Sequence, residues 1–491
     1  MTRTAFLKHC HTVLPNTALL LQEIPPHQLI ASLSTKSYHA VESYERLEWL
    51  GDAVLKLVLS DSLMQSRELG SWVQALAEGY LTAARDSLAN NHNLARVCKD
   101  LSLDQFILAR PLSRGSWTPG SLKLVDEDGV LVEHKAPSEK VCADVVEALI
   151  GLVYREFGIE ASRALLAEMG LIHPVDNTSM CTSSPTLNDF HVSKAKLDAA
   201  INFTGRDTIN DHSLVEEAFC HPTALGSRTL SYQRLEWVGD AVLCLASREW
   251  VFQTFPDRSV GDMVRTEALL NSNEALAFLS KRKGLHKFLD HRDPTFQSRL
   301  DEYSAELTSK RGGLWGTNPP KPLADVVESQ LGLVHVDGGF DAGQQSARHI
   351  LAPILQLIRS LSDDQILVHP KTRLKEMVGH SLKIETYDAP SFTERFCNAN
   401  VWNGYGGWGP PGKSTMVARI HCHGDTVMVA SGTSKSSAIH VACNIVLMVA
   451  TEMPELFERL RNGRCVAPYR NMISKSMRDQ VDFTGGGRSV R

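Results

Sequence analysis

The run Tyr44-Glu45-Arg46-Leu47-Glu48-Trp49-Leu50-Gly51-Asp52-Ala53-Val54-Leu55 returns 188 residues later as Tyr232-Gln233-Arg234-Leu235-Glu236-Trp237-Val238-Gly239-Asp240-Ala241-Val242-Leu243, with ten of twelve positions identical. The spacing of Leu, Val and Ala predicts a helix in both runs. On such a helix Glu48 and Asp52, like Glu236 and Asp240, stand at i and i+4 and share one face with residues bound for a core. Each run is answered downstream by a second acidic pair, in Lys140-Val141-Cys142-Ala143-Asp144-Val145-Val146-Glu147 and in Lys321-Pro322-Leu323-Ala324-Asp325-Val326-Val327-Glu328. Both times a Lys stands four residues before the Asp, and Gly151 or Gly332 stands four after the Glu. One acidic pair on a helix is ordinarily a solvated face. Two sets placed among apolar residues are another matter, because buried anions are costly unless a cation offsets them. The pattern predicts two cages for cations.

The sequence Glu-Arg-Leu-Glu-Trp-Leu-Gly-Asp-Ala-Val-Leu at 45–55, followed by Ala-Asp-Val-Val-Glu at 143–147, resembles the signature of the ribonuclease III family. Two such domains in one chain, over residues 15–360, resemble the catalytic end of a Dicer. Trp117-Thr118-Pro119-Gly120 lies in a long insert similar to one in the first nuclease domain of Dicers. The resemblance implies a mainly α chain, in which two all-α ribonuclease III domains form an intramolecular pseudo-dimer. A small α+β domain of α-β-β-β-α order would follow. The expected limits are 1–172 for the first nuclease domain, 173–194 for a linker and 195–362 for the second nuclease domain. Residues 366–455 would form the RNA-binding-like domain and 456–491 a basic, disordered tail.

Phosphodiester hydrolysis needs an activated water, a stabilised phosphorus and a protected leaving oxygen. Two Mg²⁺ ions roughly 3.5–4 Å apart meet all three needs, and Mg²⁺ prefers oxygen ligands. By resemblance, Glu48, Asp144 and Glu147 ligate metal in one pocket, and Glu236, Asp325 and Glu328 in the other. Asp52 and Asp240 stand close by, as ligands through water or as orienters, and Mn²⁺ would substitute for Mg²⁺. Lys140 and Lys321 take the family's role of stabilising charge near the scissile phosphate; the plainer alternative is an ion pair with a neighbouring carboxylate. The segments Leu81–Asn93 and Met263–Asn273 each place Asn six and eight residues after an Arg. The family carries Asn beside its active centre, so Asn91 and Asn271 are candidates to support the ligands, with helix capping as the alternative. Trp49 and Trp237 are expected in the core and the contact between domains, since duplex RNA hides its bases.

Of the 491 residues 43% are hydrophobic and 22% charged, as in soluble globular proteins, and the length suits about three domains. No run of eighteen apolar residues occurs, and the first residues lack the apolar stretch of a signal peptide, so a cytoplasmic or nuclear protein without membrane partners is expected. The ten Cys include no C-x-x-C pair, which argues for reduced, buried thiols. Cys397, His421, Cys422, His423, Cys443 and Cys465 have the chemistry of a structural zinc site, although core thiols are the favoured reading. Net charge is −5, divided as +6 for residues 366–491 and −11 for the remainder. Divalent cations would offset the excess of carboxylates.

The repeat extends beyond the motifs. Apolar segments Leu14–Leu21 and Leu29–Leu33 resemble the opening helix and turn of a ribonuclease III domain, and the layout recurs at Leu214–Thr223. Residues 111–138 read as an irregular loop with a hairpin at Asp126-Glu127-Asp128-Gly129, and 173–189 as a flexible linker. Near the C-terminus, a helix opening at 369–378 precedes strands at 382–387, 416–420 and 426–430 and a last helix at 438–451. This resembles a double-stranded-RNA-binding domain, with Lys371, Arg373 and Lys435 as RNA contacts. Only Lys435 remains of the family's usual basic cluster, so affinity should be low and weakly salt-dependent.

The leading expectation is a Mg²⁺-dependent endoribonuclease cutting double-stranded RNA into short duplexes with 5′-phosphates and 3′ overhangs, in RNA silencing or processing. Its rival is a non-catalytic RNA-binding or ribosome-associated protein that keeps the fold. All eight carboxylates are present, which favours the enzyme. The sequence contains no P-loop, so the chain is a shortened Dicer, or a helicase acts in trans, or the chain is part of a longer Dicer; an Argonaute-type partner in trans is a further expectation.

Overall fold

The computed structural model describes residues 3–38, 43–65, 78–108, 137–172, 193–224, 230–308, 317 and 319–360. Beyond these it describes the strands 382–388, 416–422 and 425–432 and single positions up to 458. The chain forms two compact units, residues 1–309 with 319–362, and residues 310–318 with 363–491.

The first unit is all helical and is built twice. In its first half α1 (Arg3–Val13), α2 (Pro15–Glu23) and α3 (Pro26–Ser32) precede α4 (Glu45–Gln65), α5 (Glu78–Ala89), α6 (Asn91–Asp100) and α7 (Glu139–Glu168). The second half runs α8 (Lys194–Thr204), α9 (His212–Ala218), α10 (Gln233–Thr254), α11 (Val260–Leu270), α12 (Asn273–Lys283), α13 (Phe296–Thr308) and α14 (Pro322–Ser360). The opening segment is three short helices, not one helix and a turn. Pro15 and Pro26 each start a helix, because proline lacks the N–H that an interior position needs.

Each half is centred on two helices that cross at close range, α4 on α7 and α10 on α14. Both repeated runs are helical, as their periodicity predicts. On α4 the buried residues Leu47, Trp49, Leu55, Leu57 and Leu59 reach round more than one face, which marks a central helix. Each such side chain contributes about 1.5–3 kcal/mol through burial. The crossing itself depends on glycine. A Cβ at Gly51 would lie 1.9 Å from the carbonyl oxygen of Glu147, and one at Gly151 would lie 2.1 Å from that of Leu47. Gly239 against Glu328 and Gly332 against Leu235 repeat the arrangement at 1.7 and 2.0 Å. Four glycines therefore let backbone meet backbone, and the acidic turns on both helices are drawn together.

The halves join through α4 and α10. The Arg46 guanidinium on α4 donates to the carbonyl oxygens of Phe252, Phe255 and Arg258, at 3.3, 3.4 and 2.7 Å, and so caps the C-terminal end of α10. Trp49 Nε1 donates to Glu267 of α11 and Trp237 Nε1 to Thr82 of α5, each at 3.1 Å. Both indoles are buried at this contact, as expected. Asp61 of α4, also buried, meets His335 Nε2 of α14 at 2.7 Å and pairs with Arg163 of α7.

The second unit contains an antiparallel sheet in the order β1 (Leu382–Asp388), β2 (Met416–Cys422), β3 (Asp425–Gly432). The described residues of the flanking segments, Leu374 to Val378 before and Ala438 to Leu447 after, are helical, in keeping with the α-β-β-β-α expectation. Leu374, Ile420, Cys422, Met428, Ala442 and Cys443 belong to one apolar cluster. Cys422 and Cys443 thus lie where core thiols were expected, and His421 faces Glu385 of β1 at 3.2 Å. Cys397, His423, Cys465, Lys371 and Arg373 lie outside the described residues, as do the 109–136 insert with its expected hairpin and most of the linker and of the basic tail. Lys435 is described and exposed.

Candidate active site

The signature helices α4 and α10 carry Glu48 and Glu236 in their first turn, where a carboxylate favours the positive end of the helix. Helix α7 is capped by Ser138, whose hydroxyl accepts from the Val141 N–H at 3.3 Å and so places Asp144 and Glu147 one and two turns in. The glycine crossings bring these turns face to face. Glu48, Asp144 and Glu147 each offer an oxygen within 4.8 Å of the others, and Glu236, Asp325 and Glu328 repeat the group. Among the described residues these are the two groups with the chemistry to hold a metal ion.

The charges are crowded. Burial, and then the neighbouring charges of Asp52, Glu48 and Asp144, push the Glu147 carboxyl up to about 9. Burial and Asp144 push Glu48 up to about 7, against the pull of Lys140. Glu328 rises well above the usual carboxylate range for the same reasons, burial first and then Asp240, Glu236 and Asp325. Without a cation each pocket keeps protons that a divalent ion would displace.

An ammonium group already fills part of that need. Lys140 Nζ lies 2.8 Å from both oxygens of Asp144 and 3.7 Å from Glu48. Lys321 Nζ bridges Glu236 Oε1 at 2.8 Å and Asp325 Oδ1 at 2.7 Å. Both lysines therefore make the ion pairs of the plainer alternative, at the mouth of the cage, with most of each side chain exposed. That the same carboxylates hold a monovalent cation in both halves is an observation of this chain that fits the expected metal. Three clustered carboxylates, once deprotonated, would suit a divalent ion that prefers oxygen ligands.

Asp52 and Asp240 stand at the rim, outside the two groups of three but as the leading neighbouring charges on Glu147 and Glu328. Arg248 Nη1 of the second half binds Asp52 Oδ2 at 2.6 Å, and Lys56 Nζ of the first half binds Asp240 Oδ2 at 2.8 Å. Asn91 and Asn271 do not occupy matching places in the two halves. Helix caps match Asn90 with Ser272, which sets Asn91 against Asn273 and Asn271 against Ala89. Asn91 opens α6 in an exposed position, and Asn271 ends α11 and accepts a hydrogen bond from Ser247 at 2.6 Å.

Four further side chains were not singled out from sequence. Tyr44 and Tyr232 donate their hydroxyls to Asp144 and Asp325, each at 3.0 Å, and burial with the nearby carboxylate holds both phenols protonated. Their signal was present, since each is the first residue of its repeated run. Arg248 and Lys56 gave no such signal, because their counterparts in the other half are Ser60 and Cys244.

The sequence profile of the Ribonuclease III domain matches residues 45–158 and 233–339. Dicer-like protein 2 of Aspergillus terreus is 33% identical over 413 residues, 74% of this chain and 28% of that protein. Dicer-like protein 2 of Neosartorya fischeri is 29% identical over 412 residues, again 74% of this chain and 29% of that protein. The solved Dicer from Giardia intestinalis aligns over 63% of this chain and 54% of its own, at 15% identity and a TM-score of 0.36. The chain spans under a third of the length of the two curated relatives. Among the described residues no helix is long and apolar enough to cross a membrane. The duplicated helical unit is thus a tandem pair of ribonuclease III domains, on a chain similar to Dicer-like proteins.

Proposed function

We propose that this chain is a divalent-metal-dependent endoribonuclease that cuts double-stranded RNA, one strand in each cage. The observation that carries the reading is the doubled carboxylate group, Glu48, Asp144 and Glu147 with Glu236, Asp325 and Glu328. In this reading those six residues hold the metal and Asp52 and Asp240 orient its surroundings. Bound Mg²⁺ or Mn²⁺ supplies Lewis-acid charge at the scissile phosphate and activates water. Tyr44 and Tyr232 fix one oxygen of Asp144 and of Asp325, so that each carboxylate presents its other edge inward. Lys140 and Lys321, tethered at the mouth, would be free to pair with the phosphate where a divalent ion offsets the charge of their carboxylate partners.

The halves related by the α4–α10 contact support cutting of both strands, with products that carry 5′-phosphates and 3′ overhangs. A role in RNA silencing or processing, a contribution of the 366–455 domain to RNA binding through Lys371, Arg373 and Lys435, and helicase or Argonaute-type partners acting in trans complete the proposal. A labelled long duplex incubated with wild type, Asp144→Ala and Asp325→Ala tests it. Short duplexes from wild type and single-strand nicks from each variant are expected. Intact duplex in all three reactions would overturn the enzyme reading in favour of a binding protein.

A further inference from the structure

The acids at the rim are each held by the other half of the molecule. Asp52 and Asp240 follow Glu48 and Glu236 by one helical turn, yet each stands outside its own group of three. Each is about half exposed and commits its Oδ2 to a cation from across the α4–α10 contact. The cations are not interchangeable in design. Arg248 is locked by three acceptors, Asp52 Oδ2, the Trp49 carbonyl oxygen and Glu267 Oε1, the last at 2.9 Å, and its guanidinium stands 5.3 Å from the Trp49 ring centre. Glu267 in turn accepts from Trp49 Nε1, so the lock is closed on both sides of the contact.

In the other cage the charges are redistributed. The position matching Arg248 is Ser60, which accepts from Arg85 at 3.2 Å, while Arg85 stacks 4.8 Å from the Trp237 ring centre. Arg85 occupies the place that Glu267 takes in the opposite half, by the same cap-to-cap matching. The cation for Asp240 then comes from Lys56, one turn nearer the start of α4, opposite the small Cys244. Two different sets of residues deliver the same result, a positive charge from one half on the rim acid of the other.

We propose that Arg248 and Lys56 are positioning residues acting in trans, Arg248 for the cage of the first half and Lys56 for that of the second. Each fixes one oxygen of the other half's rim acid at the edge of that cage. The inference rests on the endoribonuclease reading, and it predicts a crossed phenotype. A substitution in one half impairs the strand cut by the other half.

The test uses the full chain and a duplex labelled separately on each strand, with Asp144→Ala and Asp325→Ala assigning strand to cage. Arg248→Met is expected to slow by about 10- to 100-fold the strand that Asp144→Ala leaves uncut, the range typical for partners of metal-site residues. The other strand should be cut at the wild-type rate, and Arg248→Lys should restore part of the loss. Lys56→Met, at a more exposed site, should give the converse result and keeps the test decisive if Arg248→Met does not fold. Equal slowing of both strands, slowing of the strand assigned to the residue's own half, or no slowing would overturn the proposal. Should wild type leave RNA intact, the endoribonuclease reading fails alone, and Mn²⁺ binding decides the rest. In the Asp325→Ala background Arg248→Met should weaken Mn²⁺ binding about tenfold, and in the Asp144→Ala background it should not. The opposite pattern, or equal binding in both, would overturn it.

Discussion

In the first cage Lys140 sits on both oxygens of Asp144 and stands 3.7 Å from Glu48, whereas in the second Lys321 bridges Glu236 and Asp325 at 2.8 and 2.7 Å. The Glu48 side chain is 25% exposed and that of Glu236 only 8%. The backbone frame beneath them is the same, down to the glycine crossings and the tyrosine on the central Asp. Helix crossing fixes where the carboxylates are, and the surrounding cations adapt to it. A repeat can therefore change its charged neighbours freely while it cannot change its glycines.

The same lesson holds for two matching arginines. Arg46 spans the contact to cap α10, while Arg234 turns inward to pair with buried Glu217 of α9, at 2.6 and 2.8 Å. One residue type at one position in the repeat serves the join between halves in one case and the interior of a half in the other.

The largest effect is expected at the crossings. Gly332→Ala places a methyl against the Leu235 carbonyl oxygen and should cost about 3 kcal/mol, at the upper end of the range for overpacking, read as a shifted urea midpoint. Its cage should fail while Asp144 still cuts its strand; tolerance of alanine at both Gly151 and Gly332 would break the claim that the frame is fixed. Arg234→Ala comes next. It leaves Glu217 buried without its guanidinium and should cost about 3 kcal/mol, against about 1–2 kcal/mol for Arg46→Ala, whose acceptor carbonyls can reach water. Equal losses would remove the distinction between the two arginines.

Titration supplies the third prediction. Glu48 and Glu147 have folded values of about 7 and 9, above the unfolded range. The stability tied to their protons is complete below the ordinary glutamate range and is lost as pH rises through 7 to 9. The metal-free chain should therefore melt lower at pH 9 than at pH 6, by on the order of 5 °C, and Mg²⁺ should restore more at pH 9 than at pH 6. A metal-free melting temperature that rises over this interval would contradict the crowding of charge. Smallest is the loss of one hydroxyl. Tyr44→Phe and Tyr232→Phe should each cost about 1 kcal/mol and slow their own strand a few-fold, visible in strand-resolved rates.

Much of the site was legible because it is written twice. The acids, the lysines four residues ahead and the glycines four residues behind recur at fixed spacing, and an apolar helix with two carboxylates on one face leaves few readings. Trp49 and Trp237 were legible for the same reason. Arg248 and Lys56 were not, since comparing the halves finds only what both halves share, and their pairings depend on how α4 meets α10. The alignment of Asn91 with Asn271 shifts for a related cause: counting from an Arg sets the halves two residues out of step, whereas the caps Asn90 and Ser272 mark where the chain turns. The three opening helices followed from Pro15 and Pro26, which periodicity alone passes over.

The most direct test of the account is a count of Mn²⁺ ions bound at saturation, followed by paramagnetic resonance on the full chain. Two independent centres are predicted, with Asp144→Ala removing one, Asp325→Ala removing the other, and the double variant binding none with comparable affinity. A double variant that binds Mn²⁺ as the wild type does would contradict it.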